Sequence, residues 1–179
     1  MRMARIKLSG RGAVYHCISR VVGGQRLLGD LEKEKLRQML WQQAAFCGLE
    51  IITYCLMANH VHLLTKPKSE ESLYRMMQGL TLCYTQYSNR THKRTGRLWE
   101  SRYHSCIVDK DTYLWAVARY IEQNPLRAKV VKKPEDFPYS SARAHIPGVK
   151  DKTLTEPLFN EETRADYKKF VRGFIPDEE

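Results

Sequence analysis

Hydrophobic positions alternate, then recur every three or four residues, then alternate again, and these changes of period mark out the elements of the chain. Ala13-Val-Tyr-His-Cys-Ile-Ser19 is β-branched and aromatic and reads as a strand, and Val21-Val-Gly-Gly24 follows as a turn. From Leu31 to Cys47 the residues Leu36, Leu40, Ala44 and Cys47 fall at helical spacing, with Asp30 as the expected N-cap. Leu49–Met57 and His60–Thr65 read as two strands joined across Ala58 and Asn59, a hairpin that Pro67 ends. A long helix is expected from Ser69 to Ser88, then a polar basic loop over Thr91–Gly96. Leu98–Val108 reads as extended. Asp109 and Asp111 open a helix that runs to Asn124 and is stopped by Pro125. The remainder, with Pro134, Pro138, Pro147 and Pro157, is loop-rich and carries a last short helix near Glu161–Val171.

The order is thus β-α-β-β-α-β followed by another helix. That predicts an α+β protein: a ferredoxin-like antiparallel sheet with helices on one face, one additional helix and a loop-rich C-terminal extension. No internal repeat or low-complexity segment divides the chain. The simplest organisation is one domain over residues 1–141, with residues 142–179 packed on it or trailing.

Charge narrows the partners. The 179 residues carry a formal net charge of +10, which favours polyanions, chiefly nucleic acid and less often an anionic membrane surface. No acid precedes Asp30, whereas Arg2, Arg5, Lys7, Arg11, Arg20 and Arg26 all do. A second basic block holds Arg90, Lys93, Arg94, Arg97 and Arg102, opposed by Glu100 alone, and a third holds Arg119, Arg127, Lys129, Lys132 and Lys133. One such block is an ordinary solvated face; three suggest surfaces converging on a phosphate backbone. Cys17, Cys47, Cys55, Cys83 and Cys106 are odd in number and widely spaced, which argues against a disulfide framework or a cysteine zinc site. Reduced, mostly buried thiols are expected. With neither a signal-like apolar run nor a membrane-spanning stretch, the expected place is the cytoplasm, with no membrane partner.

Two short stretches carry candidate chemistry. In Leu56-Met-Ala-Asn-His-Val-His-Leu-Leu64 the strand period puts His60 and His62 on one face, half of a divalent-metal site or, read alone, a hydrogen-bonded core histidine beside an incidental one. In Ala118-Arg-Tyr-Ile-Glu-Gln-Asn-Pro-Leu-Arg-Ala128, the helix buries Leu114, Val117, Ala118 and Ile121, and the pair Tyr120 and Asn124 lies along one flank. A lone tyrosine there packs as an amphipath, and an asparagine before proline serves as a helix stop. Together the pieces suit phosphodiester chemistry. A phenol is a weak nucleophile at neutral pH, and a bound Mg2+ or Mn2+ neutralises and polarises a phosphate. Two imidazoles and an amide oxygen would leave coordination positions open for phosphate oxygens and water.

His60-Val61-His62 resembles the His-hydrophobe-His motif of the HUH single-strand nucleases. With Met57-Ala-Asn-His-Val-His-Leu-Leu64, Gly96-Arg-Leu-Trp-Glu-Ser-Arg-Tyr-His104 and Arg119-Tyr-Ile-Glu-Gln-Asn-Pro-Leu-Arg-Ala128, the chain is similar to the single-tyrosine transposases of small insertion sequences, most of all their REP-associated tyrosine transposase branch. The resemblance runs from Ala4 to Ser141. It implies that His60 and His62 are metal ligands, that Asn124 stands at the third ligand position, where the insertion-sequence branch commonly has glutamine, and that Tyr120 is the nucleophile. It also implies a metal-dependent single-strand endonuclease and transposase. Such an enzyme cuts and rejoins DNA through a 5′-phosphotyrosine intermediate at imperfect, REP-like hairpins carrying a single-stranded flank, as a monomer or a homodimer.

The basic residues Arg2, Arg5, Lys7, Arg94, Arg97, Arg102, Arg119 and Arg127 are the expected DNA contacts. Trp99 and Tyr103 are candidates for stacking unpaired bases, or else core residues. His16 and His104 are assigned structural roles. The alternative is a non-catalytic single-strand nucleic-acid-binding protein of the same fold. An RNA-recognition module would show exposed aromatics in a Lys/Arg-Gly-Phe-like run, which the chain lacks, and a hydrolytic HxH phosphoesterase would not need a helical tyrosine beside an amide.

Overall fold

The computed structural model describes residues 13–69, 71–108, 111–155 and 161–173. Strands β1 (Val14–Arg20), β2 (Leu49–Leu56), β3 (His60–Pro67) and β4 (His104–Val108) form a sheet in the order β2-β3-β1-β4, every neighbouring pair antiparallel. Helix α1 (Asp30–Cys47) joins β1 to β2, and α2 (Ser72–Thr91) joins β3 to β4. Helix α3 (Asp111–Glu122) follows β4, then the short α4 (Asn124–Arg127) and α5 (Ala142–His145), and finally α6 (Glu161–Arg172). This is the mixed α+β, ferredoxin-like arrangement expected from the order of elements.

Register decides which residues share a face, because directly paired residues of an antiparallel sheet point the same way. His16 pairs with Leu64, Ile18 with His62 and Arg20 with His60, so all six lie on one face. The intervening Cys17, paired with Leu63, points to the other. On that second face Leu36, Leu40 and Ala44 of α1 and Met76, Met77, Leu80 and Tyr84 of α2 bury Cys17, Tyr54, Leu56 and Leu63. Truncating a fully buried residue there, such as Leu40, costs about 2–5 kcal/mol. Beyond the expected one-sided packing, the first face is covered as well. Ala118 and Ile121 of α3, Ala142 of α5, and Tyr167 and Val171 of α6 form a second core with Cys55 and Leu64.

Several boundaries differ from the expected ones. The residue capping α1 is Gly29, and Asp30 instead pairs with Lys33 at 2.8 Å. That lysine is buried in the apolar stripe, its ammonium 4.4 Å from the Tyr139 ring centre. Gly48 ends α1 at φ 62°, a left-handed conformation that turns the chain straight into β2. Of the expected extended stretch Leu98–Val108, only His104–Val108 joins the sheet as a strand; Leu98 and Trp99 turn inward, Trp99 bridging to Val21. Helix α3 ends at Glu122, two residues early. Pro125 does not simply stop it: lacking an N–H, it fits the first turn of α4. The five cysteines are free, as expected, but only Cys17 and Cys55 are buried; Cys47 and Cys83 are half-buried and Cys106 is exposed. No helix among the described residues is long and apolar enough to cross a membrane.

Candidate active site

Three elements meet over the middle of the sheet's α3 face. Strand β3 presents His60 and His62 side by side, with ring centres 4.9 Å apart and planes nearly perpendicular. Helix α3 lays Tyr120 edge-on to His62 at 5.7 Å and to His16, on β1, at 6.0 Å. Tyr120 remains 39% exposed, so its phenol is open to a substrate while its ring packs. Asn124 begins α4 one helical turn later. Its Nδ2 donates to the Tyr120 carbonyl at 2.9 Å and the Ile121 carbonyl at 3.2 Å, capping α3. That leaves the amide oxygen as the group turned outward; burial holds His60 below its ordinary value, and a hydrogen bond from His60 to Asn124 acts in the opposite direction. The Arg127 guanidinium sits 5.2 Å from the Tyr120 ring centre, where it opposes the charge of a phenolate.

The histidines are arranged as ligands need to be. His60 Nδ1 lies 2.7 Å from Asn59 Oδ1, an acceptor, so Nδ1 carries the proton and Nε2 offers its lone pair. His62 Nδ1 lies 2.9 Å from His16 Nε2. If His62 donates there, its Nε2 is likewise free. Such outer hydrogen bonds fix the tautomer and ring angle of metal-binding imidazoles. Burial pushes all three toward the neutral, ligating form: His16 down to about 4, His62 down to about 3 with help from its histidine neighbours and Arg20, and His60 downward. No three His, Cys, Asp or Glu side chains among the described residues are arranged to hold a metal on their own. A divalent ion here would therefore rest on two imidazoles and oxygen donors, with Asn124 Oδ1 as the candidate from the protein, a set that suits Mn2+ better than Mg2+.

Sequence reasoning placed His60, His62, Tyr120 and Asn124 correctly in one locality. It gave His16 a structural role, yet His16 lies in this cluster, its Nε2 2.9 Å from His62 Nδ1; exposed His104 does not join it. It also passed over Glu122, which is wholly buried and accepts hydrogen bonds from Ser141 Oγ and His145 Nδ1 at 2.6 Å each and from Tyr167 Oη at 2.9 Å. The signal was there: Glu122 lies four residues after Ala118, on the apolar stripe, where an unpaired carboxylate would be intolerable.

The expected DNA contacts divide. Arg127 adjoins the site, Arg97 and Arg102 are exposed, and Arg94 is half-buried. Arg119 faces α6 instead: its guanidinium stacks on Phe170 at 4.0 Å and donates to the Phe170 carbonyl. Trp99 is a core residue, not a stacking platform. It is buried against Tyr84 and donates to the Thr81 carbonyl at 3.2 Å, which accounts for its only polar atom. Tyr103 is buried too. Arg2, Arg5 and Lys7 lie outside the described residues.

Comparison with known proteins agrees with this fold. The fold is similar to that of a REP-associated tyrosine transposase bound to a REP hairpin, with a TM-score of 0.70 and 16% identity, over 89% of this chain and 94% of that one. A putative transposase from Deinococcus radiodurans R1 is 22% identical, with a TM-score of 0.49, over 69% of this chain and 97% of its own. No curated protein matches the sequence. The sequence model described as "Transposase IS200 like" matches residues 11–124, a span that takes in more than half of the chain and ends on Asn124, with both histidines and Tyr120 inside it. The chain therefore belongs to the IS200-like transposase family.

Proposed function

We propose that this protein is a metal-dependent tyrosine transposase that cleaves and rejoins single-stranded DNA at REP-like hairpins through a 5′-phosphotyrosine intermediate. The observation that carries the proposal is the meeting of a half-exposed tyrosine with a pair of hydrogen-bonded histidines: the Tyr120 ring is 5.7 Å from His62, and His62 is 4.9 Å from His60. His60, His62 and Asn124 would hold a divalent ion. When bound, it neutralises and polarises the scissile phosphate. The chain supplies the rest. Tyr120 Oη attacks phosphorus, forming the O–P bond as the bond to the 3′-oxygen breaks; the proton the phenol loses balances the one the 3′-oxygen gains. Arg127, over the ring, lowers the energy of the phenolate. The resulting ester retains the bond energy, so a second 3′-hydroxyl can reverse the step without ATP. A DNA partner is supported by the net charge of +10 and by the hairpin carried by the similar transposase.

The test is incubation of the protein with end-labelled hairpins bearing a single-stranded flank, with Mg2+ or Mn2+. A protein–DNA band that survives denaturing electrophoresis is expected, and EDTA should remove it. Equal yield in EDTA would refute the metal requirement; hairpin binding without any covalent band would leave a non-catalytic binder.

A further inference from the structure

Past His60 the site opens into a second hollow. A cavity of about 320 Å3 is lined by Arg20, Val21, Gly24, Asn59, His60 and Glu100. Its walls are the end of β1, the turn after it, the β2–β3 hairpin tip and the segment leading to β4. Backbone bonds pin these together: Val21 N donates to Asn59 O at 2.8 Å, and Val22 N to Leu98 O and Glu100 N to Arg20 O at 2.9 Å each. The hollow is thus built by rigid backbone. Tyr120 packs on His62 and His16, and none of these three lines the cavity. His60 is the shared wall, with the nucleophile on one side and the hollow on the other.

We propose that this cavity receives the nucleotide on the leaving side of the scissile phosphate, with Arg20 holding a phosphate and Glu100 selecting a base that carries an exocyclic amino group. The proposal rests on the strand-cleavage reading above. Displacement at phosphorus is in line: the Tyr120–phosphorus bond forms on the side opposite the breaking bond to the 3′-oxygen. With phosphorus over the histidine pair, the nucleotide that keeps the 3′-oxygen extends away from Tyr120, and the hollow past His60 is positioned to receive it. Its volume falls at the small end of ligand pockets, about 300–1,000 Å3. That suits one nucleotide and excludes a duplex stem.

The wall chemistry is specific. Arg20 is exposed and pairs with His60 across the sheet, so its guanidinium stands beside the histidine that lines the hollow. A guanidinium there matches the geometry of a phosphate. Glu100 is the lone acid in the basic block from Arg90 to Arg102, on a protein that otherwise accumulates positive charge. Among the described residues no salt bridge joins it to Arg20. A carboxylate beside DNA repels phosphates, but it accepts hydrogen bonds from amino groups, as carboxylates do from cytosine N4. The Asn59 amide is already engaged, by His60 through Oδ1 and by the Gly24 carbonyl through Nδ2, so Glu100 is the side-chain acceptor left to meet a base. Thymine has no exocyclic amino group, and its one donor, N3–H, lies between two carbonyl oxygens that repel an approaching carboxylate, so it is the base Glu100 disfavours.

Two arms test this. In the first, wild-type protein and Mn2+ cleave hairpins with randomised flanks, and the released 3′ ends are sequenced. Thymine should be depleted by about fivefold or more at the terminal position, the discrimination expected of one base-edge contact. Glu100→Gln, whose amide also donates, should bring the four bases to within about twofold of one another. In the second arm, Tyr120→Phe protein, unable to turn over, binds fluorescein-labelled hairpins whose flank positions are changed to thymine one at a time. One position should weaken binding, and adding Glu100→Gln should abolish that sensitivity. Adding Arg20→Ala should lower the slope of log K against log salt by about 0.7–0.9, one phosphate. An unchanged base distribution in Glu100→Gln, or an unchanged salt slope in Arg20→Ala, overturns the assignment. Absence of cleavage by the wild type would defeat the strand-cleavage reading instead, and the binding arm would still decide the pocket.

Discussion

His62 reaches the site with one ring nitrogen engaged, 2.9 Å from His16 Nε2, so a proposed metal ligand is oriented by a residue of the neighbouring strand. His16→Leu should weaken Mn2+ binding, read by electron paramagnetic resonance, about 10–100-fold, the usual effect of losing an outer-sphere partner. His16→Gln keeps an acceptor and should recover most of the loss. Equal Mn2+ affinity in all three proteins would mean that His16 only packs. The same histidines make stability depend on pH. Burial holds His16 at about 4 and His62 at about 3, below the ordinary value near 6.5. Above pH 6.5 folded and unfolded chains are both neutral at these rings. As pH falls from 6.5 through 4 toward 3, only the unfolded chain takes up the protons, so stability is lost across that window. Urea unfolding of metal-free protein should show a steeper fall there than His16→Gln does; parallel curves would count against the burial of a neutral His16. His60, His62, Tyr120 and Asn124 were legible because strand and helix periods fix their faces. The His16–His62 contact spans 46 residues and exists only through the β1–β3 register, which no local spacing encodes.

Helix α3 carries Tyr120, the proposed nucleophile, and the position of its axis is set from behind. Glu122, two residues after Tyr120, is held by Ser141, His145 and Tyr167, which tie α3 to α5 and α6. Gln123 adds a hydrogen bond to the Val171 carbonyl. A buried carboxylate with three donors resists displacement, because each donor lost leaves charge uncompensated. Tyr167→Phe should lower stability by about 1.5–3 kcal/mol in urea unfolding, the range for a hydrogen bond to a charged group. A change below about 0.5 kcal/mol would show that the phenol contributes nothing to Glu122. Most elements were legible from hydrophobic period alone. The misjudged ones have local reasons. Leu98 and Trp99 look like strand residues because they are apolar, yet they are drawn into the core under α2. Pro125 looks like a stop because the residue before proline avoids the α region, yet Asn124 closes α3 with its own side chain.

Across the whole molecule the sheet separates two tasks. One face, with α1 and α2, is core; the other carries the histidines and is closed by α3 together with residues that follow Ser141. The sequence suggested only a loop-rich extension there, since the partners of Glu122 lie up to 45 residues away and no period links them. A chain ending at Ser141 would expose Glu122 and the apolar side of α3. It should lose its cooperative thermal transition in circular dichroism, whereas an unchanged melting curve would show that the segment is dispensable. The central claim, a covalent link through one tyrosine, is tested most directly by trapping the protein–hairpin adduct, digesting both components and locating the nucleotide remnant by mass spectrometry. The account predicts the remnant on the peptide containing Tyr120, and no adduct from Tyr120→Phe protein. A remnant on the exposed Tyr113, about two turns earlier in α3, or an adduct that persists in Tyr120→Phe, would contradict it.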